Sequence, residues 1–183
     1  PLKPRSPYSA SKASSDLLVQ SYITTFKVNA SITRCCNNYG PRQHNEKLIP
    51  TVIRSLVQGQ SIPVYGKGDN IREWIHARDH AKAILEVLHK EDAAELYNIP
   101  GSADFTNLDL IELIIECVTT QMPKYRRKEY IEFVKDRAGH DFKYAISSKH
   151  NLDAVKNQQE FNLEETVKYY LDKYTRGTKI SLA

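Results

Sequence analysis

Glycine is scarce in this chain: seven in 183 residues. The closest pair is Gly66-x-Gly68, and Ile71 stands where a Gly-x-Gly-x-x-Gly turn needs its third glycine. Neither that turn nor a Walker-type loop is present, so the sequence holds no phosphate cradle of either kind. Cysteine is scarcer still. Cys35, Cys36 and Cys117 are odd in number and two are adjacent, which suggests no disulfide framework. A reducing cytoplasm is the expectation. No apolar run approaches the roughly 20 residues of a membrane span, and no signal peptide precedes the first motif. Charge of one sign is also lacking: 26 basic against 22 acidic residues leaves +4. Nucleic acid is not expected as a partner without a clustered basic stripe. The nearest cluster, Lys124, Arg126, Arg127 and Lys128, reads as a solvated loop. His76 and His80 have helical metal-ligand spacing, but no third and fourth ligand stand nearby, so no metal is expected. Ser9 and Ser11 lack the Gly-x-Ser-x-Gly elbow of a nucleophilic serine.

What is present is an ordinary globular composition, 40% hydrophobic and 26% charged. Ser6-Pro7 reads as an N-cap and first helical residue. Ala10, Ala13, Leu17, Leu18, Tyr22 and Phe26 recur at helical spacing, which predicts an amphipathic helix over 7–27. A buried strand follows at 30–36. Asn37-Asn38-Tyr39-Gly40-Pro41 reads as a loop. Further helices are predicted at 46–57, 79–89, 107–118 and 164–174, and strands at 62–65, 72–76, 95–99 and 130–134. Strands alternating with helices predict an α/β architecture. The chain opens on a helix, whereas a dinucleotide-binding fold opens on a strand and a Gly-rich turn.

Tyr8 and Lys12 are four residues apart on the first helix and therefore share a face. A cation beside a tyrosine favours the phenolate, which lets it exchange protons with a sugar hydroxyl near neutral pH. The spacing alone is weak evidence, because Tyr169 and Lys173 repeat it. The plain alternative is a surface tyrosine beside a solvated lysine. Cys35 and Cys36, in a predicted buried strand, read as core packing rather than redox chemistry.

The surroundings of Tyr8 say more. The run from Ser6 to Asp16, Ser-Pro-Tyr-Ser-Ala-Ser-Lys-Ala-Ser-Ser-Asp, resembles the active-site helix of extended short-chain dehydrogenases/reductases. Asn37-Asn38-Tyr39-Gly40-Pro41, Glu46-Lys47-Leu48-Ile49-Pro50 and Pro63-Val64-Tyr65-Gly66-Lys67-Gly68 follow in order. Then come Ile71-Arg72-Glu73-Trp74, Tyr97-Asn98-Ile99 and Asp136-Arg137-Ala138-Gly139-His140-Asp141. Together they resemble the dTDP-glucose 4,6-dehydratases over residues 1 to about 146. The resemblance implies NAD as cofactor and dTDP-glucose as substrate. Tyr8 would deprotonate the sugar 4-hydroxyl, and Lys12 would steady Tyr8 and bond the nicotinamide ribose. Asn37 would face substrate and Asn38 would face NAD. Glu46, Lys47 and Leu48 would contact the sugar nucleotide. Pro63 and Tyr65 would line the base pocket. Arg72 and His140 would hold the diphosphate, with Asn98 and Asp136 completing the site.

The fold implied is the C-terminal part of a Rossmann-type fold plus a smaller substrate-binding α/β domain, with the Gly-rich N-terminal half absent. Residues 1–45 would be the remnant of the dinucleotide-binding domain. Residues 46–183 would be mainly the sugar-nucleotide domain, with segments near 70–90 returning to the first. In this family the dehydrating Asp and Glu lie upstream of the tyrosine helix, and no acidic residue precedes Tyr8 here. The expectation is a C-terminal portion that neither binds NAD tightly nor turns over by itself. Ala138, Pro100 and Ser147 depart from the usual pattern. Family members dimerise through the helix carrying the Tyr-Lys pair, so a homodimer contact is expected at 7–27. Alternatives are a related UDP-sugar epimerase, dehydratase or decarboxylase, or a non-catalytic sugar-nucleotide-binding fragment.

Overall fold

The computed structural model describes residues 3–90, 96–125, 131–136, 139–143, 146–147 and 152–179, with side chains to 176. Glu95 and Tyr130, the predicted first residues of two strands, lie outside these, as do Arg126, Arg127, Lys128, Arg137 and Ala138.

Helix α1 (Pro7–Phe26) begins as its sequence predicts. Ser6 Oγ accepts the Ser9 N–H at 3.1 Å, and Pro7 occupies the first turn, where no donor is needed. Strands β1 (Ile32–Cys35) and β5 (Leu96–Ile99) pair in parallel, Arg34 opposite Asn98. A second sheet has β4 (Ile71–His76) between β2 (Asn37–Tyr39), parallel to it, and β6 (Ala103–Thr106), antiparallel. A third pairs β3 (Ile62–Tyr65) with β7 (Ile131–Val134) in parallel. The helices are α2 (Leu48–Gln58), α3 (Ala77–Leu88), α4 (Asn107–Gln121), the short α5 (Asp153–Lys156) and α6 (Glu164–Lys179).

Two apolar cores result. The larger joins one face each of α2, α4 and α6 to β3 and Trp74, with Ile53, Ile114, Val167 and Tyr170 fully enclosed. Each such side chain contributes about 1.5–3 kcal/mol by leaving water. The smaller core holds Cys36, Ile75, Ala83, Val87, Tyr97, Ile99 and Leu152.

Several expectations change. Asn37–Tyr39 is a strand, not a loop, because β4 supplies the backbone partners that local sequence does not reveal. Strand β6 and helix α5 were not expected. Gly101 makes β6 possible: a Cβ there would stand 2.6 Å from the Trp74 carbonyl oxygen. Helix α2 begins two residues later than predicted, with Lys47 extended as its N-cap. Helix α1 buries no residue, and Leu17, Leu18, Tyr22 and Phe26 are all exposed. Among the described residues its neighbouring sheet is only β1 and β5, too narrow to cover a 20-residue helix.

Candidate functional site

The site is assembled around the start of α1. Tyr8 is 73% exposed and Lys12 is also exposed one turn on, so both side chains are open to a ligand. Just ahead of Tyr8, the Arg5 carbonyl meets Gly139: a Cβ at Gly139 would be 2.9 Å from that oxygen. Gly139 has φ +71°, which favours glycine independently. The next residue, His140, has Nδ1 2.8 Å from Asp136 Oδ1, and the histidine side chain is largely enclosed. Asp136 in turn lies against Gly66, where a Cβ would meet its carboxyl carbon at 3.2 Å. The start of α1, Asp136 with His140, and the Tyr65–Gly66 turn are thus brought to one region from three distant stretches of sequence.

Strand β3 turns Ile62 and Val64 into the core and leaves Pro63 and Tyr65 exposed on the opposite face. That is the placement a stacking platform requires. Arg72 is buried. Its Nη1 donates to the Ile71 and Phe142 carbonyls, and its Nη2 donates to the Asp141 carbonyl at 2.7 Å. These bonds fix the segment that follows His140. Asn98 Nδ2 donates to the Ser147 carbonyl at 3.0 Å. Glu46 and Lys47 are exposed ahead of α2, and Leu48 is its first residue.

Asn37 pairs in register with Trp74, and Asn38 with Ile75. The Asn38 amide is closely held. Its Nδ2 donates to Cys35 Sγ and to the Cys36 carbonyl, both at 3.3 Å, and its Oδ1 faces His80 Nδ1 at 2.8 Å. His76 Nδ1 accepts the Arg78 N–H and caps α3. The two histidines weighed as metal ligands therefore use their Nδ1 atoms elsewhere. Burial, reinforced by Glu73, pushes the Cys36 thiol up to about 12, which makes it a poor nucleophile.

Comparison with known proteins places the chain in a family. The sequence model of the NAD dependent epimerase/dehydratase family matches residues 1–100. The chain belongs to that family. It is 45% identical over 174 residues to the low-salt glycan biosynthesis protein Agl12 of Haloferax volcanii, covering 95% of this chain and 54% of that protein. It is 43% identical to dTDP-glucose 4,6-dehydratase 1 of Escherichia coli K12, covering 92% and 48%. The crystal structure of the dTDP-glucose 4,6-dehydratase DesIV from Streptomyces venezuelae, with NAD bound, superposes with a TM-score of 0.87 at 38% identity, covering 96% and 54%. The chain spans about half the length of the curated relatives it matches. The α/β, Rossmann-type fold is shared with these epimerase/dehydratase relatives.

Within this family member, several supporting residues escape sequence reading. His80 stands out in sequence only by its helical spacing from His76, and only folding places it on Asn38. Gln43, Asn45 and Tyr170 lie in or against the loop before Glu46 and carry no motif. Lys173 and Tyr174 do the same, although Lys173 belongs to the repeated Tyr-Lys spacing. A cavity of about 160 Å³ lined by Tyr39, His76 and Glu165 involves none of the predicted site residues.

Proposed function

We propose that this chain carries the proton-transfer pair and the sugar-nucleotide pocket of an NAD-dependent dTDP-glucose 4,6-dehydratase. The observation that carries this reading is the convergence of the α1 start, Gly139–His140, Asp136 and the Tyr65 turn on one region. The residues present fit the ribose end of a nicotinamide cofactor, since Tyr8 and Lys12 offer a hydroxyl and an ammonium one turn apart. NAD, when bound, supplies the hydride acceptor. Tyr8 Oη takes the proton from the sugar 4-hydroxyl, with Lys12 steadying the phenolate. His140, held by Asp136, offers an imidazole N–H to the diphosphate, and Arg72 fixes the backbone beside it. Tyr65 and Pro63 receive the base, Tyr65 by stacking. Asn37, Asn98, Glu46, Lys47 and Leu48 contact the sugar nucleotide, and Asn38 faces the cofactor.

The smaller core supports a return of the segment near 70–90 to the cofactor part at 1–45, since Ile75, Ala83 and Val87 pack with Cys36. The same core and the β1–β5 pairing draw 96–99 and Leu152 there as well, leaving the rest of 46–183 mainly with the substrate domain. The exposed Leu17, Leu18, Tyr22 and Phe26 support a homodimer contact along α1. Light scattering tests it: a dimer is expected, and Phe26→Glu should yield monomer.

Calorimetry of this chain with dTDP, UDP and NAD tests the main reading. Weak dTDP binding, weaker UDP binding and no measurable NAD binding are expected. Preference for UDP would overturn the base-pocket assignment in favour of a UDP-sugar enzyme.

A further inference from the structure

The loop between β2 and α2 is backbone-strained and held from outside. Gly40 has φ +144°, and Arg42 has φ +68°, a conformation that side-chain-bearing residues rarely adopt. Such conformations persist only where surrounding structure over-determines them. Here the surrounding structure is the last helix. Tyr170, fully buried, donates its hydroxyl to the Gln43 carbonyl at 2.7 Å. Tyr174 Oη and Lys173 Nζ both donate to Asn45 Oδ1, each at 3.0 Å. From the other side, Thr51 Oγ1 and Arg54 Nη1 donate to the Asn45 carbonyl at 3.0 and 3.3 Å. Gln43 Nε2 completes the connection by donating to the Asn38 carbonyl at 2.8 Å. The anchor is compact: Tyr170 and Tyr174 stack at 5.6 Å, and Lys173 Nζ lies 5.6 Å from each ring centroid.

Asn45 immediately precedes Glu46, Lys47 and Leu48. The geometry points to Tyr170, Lys173 and Tyr174 as positioning residues for the sugar-nucleotide contact at 46–48, acting through Gln43 and Asn45. The last helix, whose anchoring residues lie 127 to 129 positions downstream of the ones they hold, thereby sets ligand affinity without touching ligand. The ligand half of this inference rests on the sugar-nucleotide reading above; the anchor does not.

The test uses the chain with Asn45→Leu, Asn45→Asp and Tyr174→Phe, read by hydrogen exchange and by dTDP calorimetry. Asn45→Leu should speed exchange of the 43–48 amides about tenfold, with α4 amides unchanged, because the anchor bonds lose their acceptor. Its dTDP affinity should fall several-fold. Tyr174→Phe should do the same to a smaller degree. Asn45→Asp keeps the acceptor and should restore both properties, which a volume effect would not. Unchanged loop exchange in Asn45→Leu, or faster exchange throughout the molecule, overturns the anchor. A loosened loop with unaltered dTDP affinity overturns its link to binding. If the unaltered chain fails to bind dTDP, the sugar-nucleotide reading falls and the ligand half with it, while exchange still judges the anchor.

Discussion

His80 Nδ1 stands 2.8 Å from Oδ1 of Asn38. The Asn38 amide nitrogen already donates to Cys35 and Cys36, so its oxygen is the acceptor and His80 must be the donor. That selects the Nδ1–H tautomer. Burial lowers the His80 pKa, which disfavours the imidazolium.

The pH dependence follows from the sign. Below about pH 6.5 the unfolded chain protonates this histidine while the folded chain resists. The neutral ring's stabilisation is therefore complete above that value and is lost as pH falls toward the lowered folded pKa. Melting temperature should fall over that window, and His80→Asn should flatten the fall. Nitrogen NMR of the imidazole should report a proton on Nδ1; a proton on Nε2 alone would contradict the pairing.

Asp16 is the side chain through which α1 bonds β1: Arg34 Nε lies 2.6 Å from its Oδ2. Both side chains retain some exposure, so the pair contributes only about 0.2–1 kcal/mol to stability. Asp16→Asn should scarcely change the denaturation midpoint. It should nevertheless raise hydrogen exchange along α1, loosening the helix that bears Tyr8. A large stability loss with no local change in exchange would count against this role.

Gly139→Ala should damage the site more than the fold. The new methyl would press on the Arg5 carbonyl, and the backbone would remain in the left-handed region. A loss of about 1–3 kcal/mol in chemical denaturation is expected. A change in Tyr8 accessibility to nitration should accompany it. Arg5 and Gly139 would not be in contact if alanine were tolerated at both levels.

Tyr65→Ala should weaken dTDP binding about tenfold, the order expected for removing one stacking face, and leave the melting temperature within a degree or two. The exposed side of β3 makes that separation possible. An unchanged affinity would place the base elsewhere.

Much of this was legible beforehand. The helix caps at Ser6-Pro7 and the inward period-two pattern of Ile62 and Val64 act locally, so α1 and β3 could be read from neighbouring residues. The ordered motifs likewise fixed which residues to watch: Tyr8 and Lys12 first, then the substrate-facing series to His140. Asn37–Tyr39 and Ala103–Thr106 could not be read, because their strand state depends on β4, which is distant in sequence.

The same division holds at the site. Sequence by itself determined the chemistry on offer: a tyrosine–lysine pair, a histidine, a tyrosine at position 65 and no glycine-rich cradle. Only the tertiary structure decided what holds that chemistry in place. Arg72 turns to backbone carbonyls, His80 fixes an asparagine amide, and α6 grips the loop at Asn45. Hydrogen bonds between residues far apart in the chain leave no local period or propensity, and so folding alone reveals them.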